Sequence, residues 1–300
     1  MEDTSKFVKQ WFSQRSARWL PGHGTMMDEE ALLRQTMNRR RAAIDRKVIT
    51  DVQITGSRNL DDEQSMMEID VIEYIRFLYE IGGSIEHEER FIPHVLTWKR
   101  GEAEPIDHQQ LNEAVHEGTE LINFDNDAVF TNRDYRFLYD RVLAIKYAER
   151  WWNERNREYI NMGVDCTNYV SQVLHAGGFP FTGGMPKRAA GWWYQFGSKP
   201  DWSFSWSVAH ALALLMINHP ETFHAQIVDR PENLNIGDMI SYDWKGTGRY
   251  THSTIVTGMD ANGYPLVNAH TVDSHKRFFS YEDSYAFTPS TQYLFTHFAD

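Results

Sequence analysis

Near residue 47 the spacing of apolar residues changes, and that change limits what the chain can fold into. Upstream, residues 5–19 and 27–46 read as helices. In "DEEALLRQTMNRRRAAIDRKV" Leu32, Leu33, Met37 and Ile44 recur at near-helical spacing, and Asp28 is placed to cap the start. "LPGHG" (20–24) separates the two helices. From "KVITDVQITGSR" (47–58) onward apolar and polar residues alternate, as in a half-buried strand. "MMEIDVIEYIRFLYEI" (66–81) reads as a strand, because Ile69, Val71, Glu73 and Ile75 alternate against Asp70, Ile72, Tyr74 and Arg76. "IEHEERFIPHVLTWKRGEAEPID" (85–107) reads as a strand, a turn and a short return strand, with "HEER" (87–90) as a polar strand face. Helices followed by a meander define a small α+β domain, expected over residues 1–125.

The second part mixes both periods and is expected to form a domain over residues 126–300. "INFDNDAVFTNRDY" (122–135) is a polar connector. "RFLYDRVLAIKYAERWWNERN" (136–156) is a strong helix with Leu138, Val142, Ala144, Ile145, Tyr147 and Ala148 as its apolar residues. In "CTNYVSQVLHAGG" Tyr169, Val170, Val173 and Leu174 form a helical stripe, and Gly177 and Gly178 end it. A helix near 205–217 precedes three strand-like segments, 237–244, 251–260 and 264–273, the last two joined by the turn "DANGYP".

Cys166 is the only cysteine in 300 residues. It excludes an internal disulfide and a multi-cysteine zinc site. Its place at the first turn of a helix favours thiolate, because unpaired N–H groups and the helix dipole favour negative charge there. The same N–H groups suit an oxyanion. A nucleophilic cysteine needs a base, and His252 in "YTHSTIVTG" opens a strand downstream. The next strand, "PLVNAHTVD", puts Leu266, Asn268 and His270 on one face, so His270 or Asn268 is expected to reach the far nitrogen of His252, with Asp273 as a further competitor. Asp165 is expected to cap the helix or to orient a substrate amine. Trp192 and Trp193, in the aromatic run "GWWYQF", are expected either to line a groove for sugar or peptide or to be core.

The motifs "YAERWW", "DCTNYVSQVLHAGG", "GDMISYD", "HSTIVTG" and "NAHTVD" resemble the putative amidase domain family found mainly in Firmicutes, within the papain-like NlpC/P60 superfamily of cysteine amidases and peptidases. The resemblance covers residues 139–295, with Tyr169 where a Phe is common. It implies a papain-like fold with Cys166 as nucleophile, His252 as base and His270 as third polar residue. It also implies a peptidoglycan stem peptide or related N-acyl bond as substrate. The first domain is similar to small cystatin- or NTF2-like folds. The same residues would serve an acyltransferase, a deamidase or a transglutaminase-like enzyme, and a wall- or peptide-binding module with a vestigial site is the non-enzymatic reading.

No cofactor and no metal are expected. The net charge of −12 argues against a nucleic-acid partner. No apolar stretch approaches the roughly 20 residues that span a bilayer, and the start lacks the apolar core of a secretory signal. A cytoplasmic location is therefore expected by default, with a spore- or wall-associated one as the alternative.

Overall fold

A computed structural model describes residues 2–16, 46–61, 65–81, 84–102, 104–110, 138–284 and 286–299. The turn expected at 20–24, the helix expected over 27–46 (save its last residue) and the connector at 122–135 lie outside them. The protein is α+β, with extended antiparallel sheet and few helices. It divides into two compact units, residues 1–113 with 272–274 and 281–285, and residues 114–271 with 275–280 and 286–300. Among the described residues no helix is long and apolar enough to cross a membrane.

In the first unit α1 (Glu2–Ser16) is followed by β1 (Arg46–Asn59), β2 (Met66–Ile81), β3 (Ser84–Lys99) and β4 (Asp107–Gln110), each strand antiparallel to the next. The alternating reading of β2 matches its burial: Ile69, Val71, Glu73 and Ile75 are all buried. Val8 and Phe12 of α1 pack on Val52, Met67, Ile69, Val71, Leu96 and Trp98 of the sheet. Full burial of an aliphatic side chain of this size contributes about 1.5–3 kcal/mol. The "HEER" segment departs from a solvated polar face. Glu88 and Arg90 are buried as an ion pair, and Arg90 also binds Asp283.

The second unit begins with α2 (Arg141–Trp151) and α3 (Cys166–Ala176). Two short strands, β5 (Tyr194–Gln195) and β6 (Asp201–Trp202), pair with each other. Then come α4 (Phe204–Ser207) and α5 (Ala209–Asn218). The remaining strands are β7 (Ala225–Val228), β8 (Met239–Asp243), β9 (His252–Met259), β10 (Pro265–Ala269), β11 (Asp273–Phe278, of which 273–274 count with the first unit) and β12 (Gln292–Phe298). Five of them run in the order β10-β9-β8-β12-β7. The helix α3 packs on β9, and Tyr169, Val173, Trp192, Trp206, Met239 and Ile255 lie in one buried cluster.

Three expectations change here. The helix expected over 136–156 spans only Arg141–Trp151, because Asp140 caps it by accepting the Leu143 N–H at 2.9 Å. That start leaves Leu138 and Val142 exposed and buries Ala144 and Ala148. The helix expected near 205–217 is two, broken at Val208, whose backbone is extended. The strand expected over 264–273 ends at Ala269; His270 lies in a turn in which Thr271 adopts φ 90°. Gly177 and Gly178 do end α3, but for different reasons. Gly178 takes φ 96°, which favours glycine. Gly177 is helical, and a Cβ there would meet the Tyr139 ring at 2.3 Å.

Candidate functional site

Cys166 is the first residue of α3, and Tyr169, Val170, Val173 and Leu174 hold that helix on the sheet with no exposure. The thiol is 3% exposed. Its neighbours are polar: the Thr167 hydroxyl lies 3.7 Å from Sγ, and the Ser253 N–H hydrogen-bonds to the sulfur. Thr167 and Ser253 are linked through their hydroxyls at 3.2 Å, which fastens the first turn of α3 to β9. Burial pushes the Cys166 thiol up from its ordinary range. Hydrogen bonds from Thr167 and Ser253 oppose this, and the Asp165 charge adds to it. Burial of the sulfur thus works against the thiolate that the helix start favours.

This has a measurable consequence. The thiolate is the species that reacts with iodoacetamide, so alkylation of Cys166 is expected to be slow at neutral pH and to accelerate only as pH rises above the usual thiol value of about 8.5. Alkylation that is already maximal at pH 7 would contradict the burial argument.

His252 opens β9 opposite Tyr242 of β8. Alternation along β9 turns Ser253 toward α3 and puts His252 and Thr254 on the Tyr242 face. The His252 ring centroid lies 5.3 Å from that of Tyr242 and 5.8 Å from that of Trp244. Cys166 thus meets β9 on the Ser253 side, the face opposite the one the His252 ring takes.

His270 goes elsewhere. Its Nδ1 lies within hydrogen-bond reach of Asp165 Oδ2 (2.6 Å) and its Nε2 within reach of the Trp151 carbonyl oxygen (2.6 Å). Both ring nitrogens are engaged, and the Tyr169 ring stacks on the imidazole at 4.0 Å. The expectation that His270 extends a strand face toward His252 fails because β10 has already ended. Asn268 does not replace it: its Oδ1 accepts from the Thr257 hydroxyl (2.8 Å) and the Lys276 N–H (2.9 Å), bracketing neighbouring strand residues. Asp273 is the first residue of β11.

Asp165 occupies the N-cap position, yet its carboxylate makes no capping hydrogen bond. It is 1% exposed and turned toward Asn168, Met162, Arg155 and His270. Trp192 is wholly buried, its indole N–H donating to Ser171 at 3.0 Å and its ring 5.0 Å from Trp206. Trp193 is 3% exposed and donates to the Ala190 carbonyl. Of the two readings of the aromatic run, the packing of these two rings is that of core. The sharp approach that makes this possible needs Gly191, with φ 71°, where a Cβ would meet the Thr182 carbonyl oxygen at 1.9 Å.

A second polar cluster, not singled out from sequence, centres on Asp238 in the "GD" before β8. Its carboxylate has no exposure. It accepts from Arg141 (2.8 Å), the Asn235 N–H (2.7 Å), His297 (2.8 Å) and the Phe298 N–H (3.1 Å). The sequence signal was the glycine: Gly237 takes φ 97° and passes its carbonyl to the Tyr139 hydroxyl.

Fold and site define a class: an α+β protein that carries a cysteine at the head of a helix laid on an antiparallel sheet. The sequence profile of the family described as the putative amidase domain matches residues 138–296. The chain belongs to that family, whose name points to hydrolase chemistry at a coarse level. Two Bacillus subtilis (strain 168) proteins are similar to it. The uncharacterized protein YhbB is 46% identical over 186 residues, 62% of this chain and 58% of the relative. The uncharacterized protein YjcM is 27% identical over 127 residues, 40% of this chain and 28% of the relative. The chain therefore spans under two thirds of the length of these relatives. No solved structure matches it.

Proposed function

We propose that the protein is a cysteine-dependent amide hydrolase in which Cys166 attacks and His252 moves the proton. The observation that carries this reading is the position of Cys166, the sole cysteine, at the start of α3 and hydrogen-bonded to the strand residue that follows His252. On this reading the His252 ring turns from the Tyr242 face toward α3 and takes the thiol proton as Sγ bonds to the carbonyl carbon. The first-turn N–H groups of α3 then face the oxyanion. Collapse of the tetrahedral species breaks the C–N bond, and the proton held by His252 leaves with the amine. Water, deprotonated by His252, hydrolyses the thioester and returns the thiol. On this reading the second unit has a papain-like NlpC/P60 arrangement, and the first, a helix on a meander, is a cystatin- or NTF2-like accessory domain. Residues 1–125 and 126–300 are the domains so proposed, and a peptidoglycan peptide or related N-acyl compound is the substrate class.

Product masses test it. Incubation with purified peptidoglycan should release fragments bearing a new carboxylate and a new amine, one water added per bond cut. Repetition with an added primary amine separates hydrolysis from acyl transfer. Fragments carrying that amine in place of water would move the assignment to an acyltransferase, and unchanged peptidoglycan would remove this substrate class.

A further inference from the structure

The residue before Cys166 is held at more points than a helix start requires. The Asp165 N–H donates to the Thr271 hydroxyl at 3.3 Å, and its carbonyl accepts the Tyr169 N–H at 2.9 Å. Its Oδ1 accepts from Asn168 (2.8 Å) and from the Met162 N–H (3.3 Å), and its Oδ2 accepts from His270 (2.6 Å) and Arg155 (3.2 Å). His270 is in turn fixed by the Trp151 carbonyl at the end of α2 and by the Tyr169 ring. Both members of the pair are buried. A buried carboxylate is costly unless such partners compensate it. Here the compensation ties together the end of α2, the loop before α3 and the turn after β10, all at the peptide bond that carries Cys166.

We propose that Asp165 and His270 are positioning residues, a buried pair that sets where Cys166 Sγ sits, and that His270 acts on the sulfur through Asp165 rather than through His252. This rests on the reading of Cys166 as nucleophile. The motive is geometric: neither ring nitrogen of His270 is left for another partner, and a misplacement of about 1 Å at a reacting atom costs on the order of 10²-fold in rate.

The test uses the full chain with Asp165→Asn, His270→Gln and the double variant. The first readout is the rate of iodoacetamide alkylation at Cys166, which as the sole cysteine reports alone. The second is the kcat and KM for release of fragments from soluble peptidoglycan. Each single variant is expected to lower kcat about 10²-fold with KM little changed, and the double variant to lose no more than the worse single one, because both remove one contact. The alkylation rates of both single variants should move in the same direction. His270→Asn, whose Nδ2 lies close to the place of the ring Nδ1 that meets Asp165, should recover part of the loss.

Additive losses would overturn the pairing. So would alkylation rates that move in opposite directions, the signature of charge alone, since the Asp165 charge raises the thiol's pKa. A His270→Gln pH profile that loses the same limb as His252→Ala, while Asp165→Asn keeps it, would assign His270 to His252 instead. Unfolding of every variant by circular dichroism would also overturn the proposal, because the pair would then hold the fold and not the cysteine's turn. Should Cys166→Ala turn over like wild type, the nucleophile reading fails, and the alkylation comparison still decides this one.

Discussion

Replacing Asp238 with Ala is expected to destabilise the protein by about 3–5 kcal/mol, the scale for removing one partner of a buried ion pair. The carboxylate is unexposed and satisfies four donors, two of them backbone N–H groups at Asn235 and Phe298. Arg141 is 18% exposed and also donates to the Ile236 carbonyl at 2.8 Å and to the Phe298 carbonyl. Without Asp238 its guanidinium loses this buried carboxylate, and the Asn235 and Phe298 N–H groups lose their acceptor. The cluster joins the start of α2 to β8 and β12, so the loss falls on the frame that supports α3. In thermal melts this corresponds to a fall of roughly 10 °C or more. Asp238→Asn, which keeps one carbonyl acceptor, should fall less. A melting temperature within about 2 °C of wild type for Asp238→Ala would show that the cluster contributes little beyond a surface pair.

What the sequence could and could not carry follows from where each property resides. The β2 strand was legible because alternation at Ile69, Val71, Glu73 and Ile75 is a local pattern, and the structure buries those same residues. The α3 helix was legible for the same reason: its stripe and its glycine stop lie in adjacent residues. The break at Val208 was not, since apolar residues continue through it and only its extended backbone divides α4 from α5. The place of His270 was hidden because alternation assumes an unbroken strand, and nothing in "NAHTVD" announces that Thr271 takes φ 90°. The burial of Cys166 was hidden for a related reason. A helix start can be read from residue order, but burial of the sulfur is a property of the packed molecule, and it opposes the thiolate. Trp192 and Trp193 were open between groove and core because residue type alone does not fix which way a ring faces. The Asp238 cluster draws on residues 141, 235, 297 and 298, too far apart in the chain for any local pattern.

Removal of the Cys166 sulfur is expected to have the largest effect on activity. If Sγ forms the acyl-enzyme, Cys166→Ala deletes the bond-forming atom, and loss of a covalent nucleophile lowers turnover by on the order of 10⁴-fold or more. His252→Ala should approach the same loss, since groups that act as one unit are not additive. The alanine fits the space without strain: Cys166 is helical, and its loss leaves the Thr167 and Ser253 hydroxyl link intact. The melting temperature should therefore stay close to wild type, unlike that of Asp238→Ala. The decisive measurement is a digest of purified peptidoglycan by wild type and by folded Cys166→Ala, read by fragment mass over matched times. The account predicts new amide-cleavage fragments from wild type alone; the same fragments at the same rate from the variant would contradict it.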